Sequence, residues 1–146
     1  MKTPALRYII TSYVGVNAIR LGLRRHDVHN EIEMPTRTRK SRFFNESTDF
    51  WQDNGLQLTF SDAEEKLVEI ALYPNLPHVE FRGIRLFEEP GADVMKTLRD
   101  MDNSYTERVG VIIFPRLGIS VTGFMSEDDN QKSVTVFARG RWEAVP

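Results

Sequence analysis

The sequence predicts an α+β fold in which two pseudo-repeated units, each a short helix plus antiparallel strands, form one curved sheet with the helices on one face. Two observations carry this reading. The apolar period is helical in two short stretches and close to two in several others. Short motifs also recur in the same order about 65 residues apart. Ile19-Arg20-Leu21 returns as Ile84-Arg85-Leu86, and Asp27-Val28 returns as Asp93-Val94 at the start of a helix-like stretch. Gly55-Leu56-Gln57-Leu58 corresponds to Gly118-Ile119-Ser120-Val121, and Ser61-Asp62 to Ser126-Glu127. Lys66, Val68 and Ile70 correspond to Lys132, Val134 and Val136. Matches that keep their order at a nearly fixed spacing mark a tandem unit, so unit one is placed at about 8–76 and unit two at about 77–146.

The elements follow in chain order. The apolar run from Tyr8 to Val16, interrupted by Thr11 and Ser12, is expected to be a strand. From Arg24 to Met34, Val28 and Ile32 stand at i, i+4, so one stripe faces a core while Arg24, Arg25, Asn30 and Glu31 stay in water. Pro35 ends that helix. Leu56, Leu58 and Phe60 then alternate with Gln57 and Thr59, and Val68, Ile70 and Leu72 alternate with Glu69 and Ala71, the pattern of a half-buried antiparallel pair. The pair is entered through the turn residues Asp53-Asn54-Gly55 and joined by the acidic connection Ser61 to Lys66. Val79-Glu80-Phe81 is a further strand bridging the halves. Pro90-Gly91 opens a second helix with Val94, Leu98 and Met101 at i, i+4, i+7, ending at Asp102-Asn103. The second set of strands is Val109 to Phe114, Gly118 to Gly123 and Ser133 to Ala138, with a turn at Pro115 to Gly118, a charged loop from Ser126 to Lys132, and an edge or bulge near Gly123. About eight strands in one antiparallel sheet is the simplest assembly.

A chain of 146 residues with 40% hydrophobic and 27% charged residues is expected to form a single domain, 1–146, with a core that needs no disulfide or metal. With 19 basic and 21 acidic residues the net charge is −2, so no overall field marks a nucleic-acid or anionic-membrane binder. Absence of Cys excludes disulfides, thiol nucleophiles and cysteine zinc sites. The N-terminal run has no small-x-small cleavage site, and no stretch approaches the ~20 apolar residues of a membrane span, which makes the cytoplasm the expected location.

No catalytic, cofactor or metal site is expected. His26 and His29 share a helix side with Glu33 one turn on, but two ligands at an exposed helix end do not close a site and the spacing is not His-Glu-x-x-His. Phosphate-cradling glycine motifs and Gly-x-Ser-x-Gly do not occur. Arg37, Arg39, Lys40 and Arg42, followed by Phe43-Phe44, form the one strong basic run, which is expected in a loop after Pro35. Basic and aromatic residues together can track nucleic acid. Glu46, Asp49 and Asp53 follow at once and oppose phosphate, so a solvated connection or a docking loop for an acidic protein fits better. Asp62-Ala63-Glu64-Glu65 and Glu127-Asp128-Asp129, at equivalent places in the two units, either form an acidic rim for a basic partner or are simply wet hairpin loops. Aromatic anchors dominate interfaces, and a strand buries one of two successive side chains per face, so either Phe50 or Trp51 is a surface candidate, as is Trp142. The candidate partner contacts are thus Arg39, Arg42, Phe44, Asp49, Trp51, Asp62, Glu64, Glu65, Glu127, Asp128, Asp129 and Trp142.

The stretch from Gly15 to Val28, Gly15-Val16-Asn17-Ala18-Ile19-Arg20-Leu21-Gly22-Leu23-Arg24-Arg25-His26-Asp27-Val28, resembles the strand and helix start of the β-lactamase inhibitor protein superfamily and of the lipoprotein component of the barrel-assembly machinery. The chain also looks like a group of bacterial proteins of immunity-protein character, through Thr48-Asp49-Phe50, Gly55-Leu56, Phe114-Pro115-Arg116-Leu117-Gly118-Ile119 and Val136-Phe137-Ala138-Arg139-Gly140-Arg141-Trp142. Leu21-Gly22-Leu23-Arg24 departs from the pattern in lacking its Met and its Ser/Thr cap, and the paired cysteines and export signal of the secreted inhibitors are missing. The resemblance implies a non-enzymatic inhibitor, a cytoplasmic immunity protein that neutralises a cognate bacterial toxin or effector domain as a monomer or weak homodimer, without nucleic acid, membrane or cofactor. The alternatives are an interaction module in complex or envelope assembly, and a small enzyme or ligand-binding protein that uses the sheet face as a pocket.

Overall fold

A computed structural model describes residues 6–41, 45–51 and 53–141. The described chain is mostly β-sheet, with 13 strands in two sheets and two α-helices. It begins with β1 (Tyr8–Thr11), β2 (Gly15–Val16) and β3 (Ile19–Arg20), followed by helix α1 (Arg25–Glu31). Four strands come next: β4 (Arg37–Lys40), β5 (Glu46–Trp51), β6 (Leu56–Ser61) and β7 (Leu67–Leu72). The chain continues with the hairpin β8 (Val79–Phe81) and β9 (Ile84–Arg85), helix α2 (Gly91–Met101), and β10 (Thr106–Arg108), β11 (Val111–Phe114), β12 (Ile119–Thr122) and β13 (Ser133–Phe137).

The expected single sheet is two sheets. The larger is an eight-stranded antiparallel sheet in the order β10-β11-β12-β13-β7-β6-β5-β4. The smaller has five short strands in the order β3-β2-β1-β8-β9. In it β1 runs parallel to β8 and antiparallel to β2, so the N-terminal run is two strands separated by a turn at residues 12–14. Strands of two to four residues are too short to show a period in sequence, which is why the second sheet went unseen.

One hydrophobic cluster joins both sheets and both helices. It contains Val16, Ile19, Phe81 and Ile84 from the small sheet, Val28 from α1, Val94, Met95 and Leu98 from α2, and Leu58, Phe60, Ile70, Val121, Val134 and Val136 from the large sheet. The period-two expectation holds well in β6, where Leu56, Leu58 and Phe60 are buried between half-exposed neighbours. In β7 the alternation slips, because a register shift at Thr59/Phe60 pairs Phe60 with Leu67 and leaves Val68 half-exposed.

Helix α1 is shorter than the expected stretch from Arg24 to Met34. It starts without a side-chain cap, as the missing Ser/Thr implies, and Ile32 is already extended at its C-cap. The chain has a reason to leave the helix there: Trp51 Nε1 donates to the Glu33 carbonyl at 2.7 Å, and Thr36 N–H donates to the Phe50 carbonyl at 2.8 Å. These bonds lead residues 33–36 alongside β5 and into β4. The basic segment Arg37–Lys40, expected as a loop, is therefore an edge strand paired to β5. Its four polar, exposed residues carry no apolar alternation that a sequence reading could detect.

Candidate functional site

Strand β5 has its polar side on the inside. Trp51 lies opposite Leu56, Asp49 opposite Leu58 and Ser47 opposite Phe60, so all three face the core with the apolar residues of β6. A carboxylate at 0% exposure needs partners, and α1 supplies them. Arg25 Nε lies 3.2 Å and His29 Nε2 2.8 Å from Asp49 Oδ2. Thr38 Oγ1 of β4 donates to Asp49 Oδ1 at 2.6 Å, and Arg25 also donates to the Ser47 hydroxyl. The Arg25 guanidinium sits 4.5 Å from the centroid of the Phe60 ring. This network ties α1, β4 and β5 together, and each of its groups is occupied in doing so.

Asp49 and Trp51, expected as partner contacts, are therefore interior residues. Of the successive pair Phe50 and Trp51, neither is at the surface: Trp51 is in the core, and Phe50, on the opposite sheet face, lies under the Arg37 guanidinium at 3.9 Å. Arg25, expected in water, is part of the buried network. His26 is exposed and apart from it.

The acidic stretches do not form one rim. β13 runs antiparallel to β7, with Phe137 opposite Glu69 and Val134 opposite Leu72. The connection from Ser61 to Lys66 consequently lies at one end of the sheet and that from Gly123 to Lys132 at the other. The first end gathers Arg39, Asp62, Glu64 and Glu65, where Lys40 Nζ is 3.5 Å from Asp62, Lys66 Nζ 2.8 Å from Glu64 and Arg25 Nη1 3.4 Å from Glu65. At the second end Glu127, Asp128 and Asp129 are exposed, but Asp128 caps a single 3-10 turn by accepting from Asn130 N–H. Asp129 pairs at 3.0 Å with Lys132, whose side chain is 2% exposed and lies over the Phe124 ring. Arg42, Phe44 and Trp142 lie outside the described residues.

The sequence reading missed three features. Arg141, just past β13, forms a bidentate pair with Glu46 at 2.6 and 2.9 Å and reaches Glu69 at 2.5 Å. Burial opposes its charge, but these two carboxylates outweigh burial and hold its pKa above the ordinary value. Asp102, at the end of α2, is pushed up by burial, yet hydrogen bonds from the Ser104 hydroxyl and from the backbone N–H groups of Arg116 and Ser104 hold its carboxyl below the ordinary range. Lastly, Tyr13, Arg108 and Arg139, distant in sequence, line a cleft of about 310 Å³.

Among the described residues no group of three or more His, Asp or Glu is placed to hold a metal ion, and no helix is long and apolar enough to cross a membrane. No protein-family model, curated protein or solved structure matches the chain.

Proposed function

We propose that the chain is a non-enzymatic protein-binding inhibitor that covers its partner with the open face of the large sheet, and that it serves as a cytoplasmic immunity protein against a bacterial toxin domain. The observation that carries the binding face is which buried residues stay outside the common core. Every inward-pointing apolar residue of β6, β7, β12 and β13 belongs to the cluster that includes both helices and the small sheet. On the opposite side Thr48, Thr59, Thr122 and Thr135 are half-exposed, and Phe50, Ile113 and Phe137 are buried without belonging to that cluster. The reading is that the helices and the small sheet share one face, which leaves the other for a partner. The toxin as partner rests on the immunity-protein resemblance. The ends of the sheet carry paired charges of both signs, suited to register and steering more than to tight anchoring.

A duplication would account for the architecture. The hairpins Val16-Asn17-Ala18-Ile19 and Phe81-Arg82-Gly83-Ile84 have the same register, and Asn17 and Arg82 both have left-handed φ, 53° and 50°. Ile70 and Val136, equivalent in the motif comparison, lie directly opposite each other where the two four-stranded halves meet. A two-fold axis through that pair would put the equivalent acidic loops at opposite ends of the sheet, in agreement with their positions.

The test is deletion of the gene followed by co-culture with wild-type siblings. Deletion is expected to sensitise cells, with rescue by the wild-type chain and none by Thr135→Arg, which places bulk and charge on the open face. Full survival of the deletion strain would overturn the immunity reading, and full rescue by Thr135→Arg would overturn the binding face.

A further inference from the structure

The large sheet ends on β4, and among the described residues no strand pairs with its outer side. All four of its residues are exposed. The register decides which backbone groups face out. Ser41 N–H donates to the Glu46 carbonyl at 2.9 Å, and β4 stays in one register with β5 from Lys40 opposite Ser47 to Arg37 opposite Phe50. Bonded and non-bonded pairs alternate in an antiparallel ladder, so Arg37 and Arg39 turn their N–H and C=O groups to β5, whereas Thr38 and Lys40 turn theirs outward.

The side chains of β4 divide between the two faces. Arg37 and Arg39 stand on the open face with Phe50 and Thr48, their partners in β5, and Thr38 and Lys40 stand on the other. Arg37 rests on the Phe50 ring at 3.9 Å and gives only Nε, to Asn54. A stacked guanidinium keeps its remaining in-plane donors for an acceptor. Among the described residues Lys40 is the one cation of the strand with a carboxylate partner, Asp62 at 3.5 Å. The edge is also held in place: Thr38 Oγ1 donates to the buried Asp49, which α1 grips through Arg25 and His29. A partner therefore meets a strand that is already ordered.

An open edge is a template for one more strand, and here the charges decide which strand fits. Two copies of β4 laid edge to edge would bring basic side chains together, and like charges across a ladder are destabilising. An extended segment with acidic residues at i and i+2 instead sets a carboxylate beside each of Arg37 and Arg39 while its backbone bonds Thr38 and Lys40. Nucleic acid fits less well. A phosphodiester chain has no donor for the outward carbonyls, and Phe50, the ring under Arg37, is buried and offers no face to a base.

We propose that β4 is a docking edge for an extended acidic segment of a partner protein, which adds to the large sheet as a further strand. This goes beyond the open-face reading and stands or falls apart from it. The probe is a fluorescein-labelled heptapeptide of alternating glutamate and valine, titrated by fluorescence polarisation into the full native chain at low salt. The expected result is saturable 1:1 binding that weakens at least tenfold in Arg39→Glu and is unchanged in Thr135→Arg, four strands away. The same peptide with every amide N-methylated keeps its charge but cannot donate to β4, and should not bind. Arg39 is exposed, so Arg39→Glu should keep the native near-ultraviolet circular dichroism. A lysine-valine heptapeptide should be ignored by the wild-type chain and bound by Arg37→Glu/Arg39→Glu. Non-saturable binding, equal affinity for the N-methylated peptide, indifference to Arg39→Glu, or tighter binding of single-stranded oligothymidylate than of the peptide would overturn the proposal.

Discussion

Replacing Asp49 by alanine separates two roles for the same residue. As a partner contact, Asp49 would be dispensable for folding. As the centre of the α1/β5 network, its loss leaves Arg25 and His29, with side chains 18% and 17% exposed, facing a space that neither water nor protein fills well. Breaking a buried pair by removing one partner costs about 3–5 kcal/mol. The lower end applies, because Arg25 keeps its contacts to Ser47 and Glu65 and because its partial exposure allows some rehydration. About 3 kcal/mol is a substantial part of the ~5–15 kcal/mol stability of an ordinary domain. At ~2–4 °C per kcal/mol it corresponds to a fall in Tm of about 6–12 °C. Urea unfolding by circular dichroism gives the free energy, and a double-mutant cycle with Arg25→Met gives the coupling. Strong non-additivity is expected, since once Asp49 is gone the second substitution removes a charge already without its main partner. A loss below 1 kcal/mol for Asp49→Ala, or additive single and double variants, would refute the network as the seat of α1.

Val109 sits at the tip of the β10–β11 hairpin, fully exposed, with φ 49° ahead of Gly110 at φ 81°. A β-branched residue is poorly suited to that turn and Asn is well suited, so Val109→Asn should raise stability by about 1 kcal/mol in urea melts. Asp102 has its carboxyl pKa lowered in the folded state, so the stability it contributes is present above the unfolded carboxylate pKa of ~4 and is lost as pH falls through the folded value. Asp102→Asn should therefore flatten the acid limb of stability against pH while lowering the plateau. Arg141→Met leaves Glu46 and Glu69, about one-fifth exposed, without their shared cation and should cost about 2 kcal/mol. Adding Glu69→Gln should recover part of that loss, measured in the same melts.

The strands with a strict apolar alternation, Leu56–Ser61 above all, were legible in the sequence because a half-buried sheet imposes that pattern. Arg37–Lys40 was not, since an exposed edge strand imposes none. The face of Asp49 was in principle readable: once Trp51 is placed inward, period two puts Asp49 and Ser47 on the same side. Charge on Asp49 argued for the surface, and only the presence of Arg25 and His29 on the facing helix makes its burial tolerable. The acidic loops were legible as connections in the chain, but of the two readings open for them the single rim fails, because their separation depends on β7 and β13 pairing antiparallel, a long-range choice without a local signal. The cleft has the same character. Tyr13, Arg108 and Arg139 come from a turn, an edge strand and a segment beyond the last strand, and no spacing rule links them.

The open face of the large sheet as the partner surface is the central claim, and its most direct test is binding to a toxin domain, which the proposed function expects to be encoded beside the gene. The wild-type chain is expected to form a stable 1:1 complex by calorimetry. Thr59→Arg and Thr135→Arg, both on the open face, should weaken it at least a hundredfold, while Lys96→Glu on the exposed side of α2 should leave it unchanged. Undiminished affinity in both open-face variants, or loss of affinity in the helix variant alone, would contradict the account.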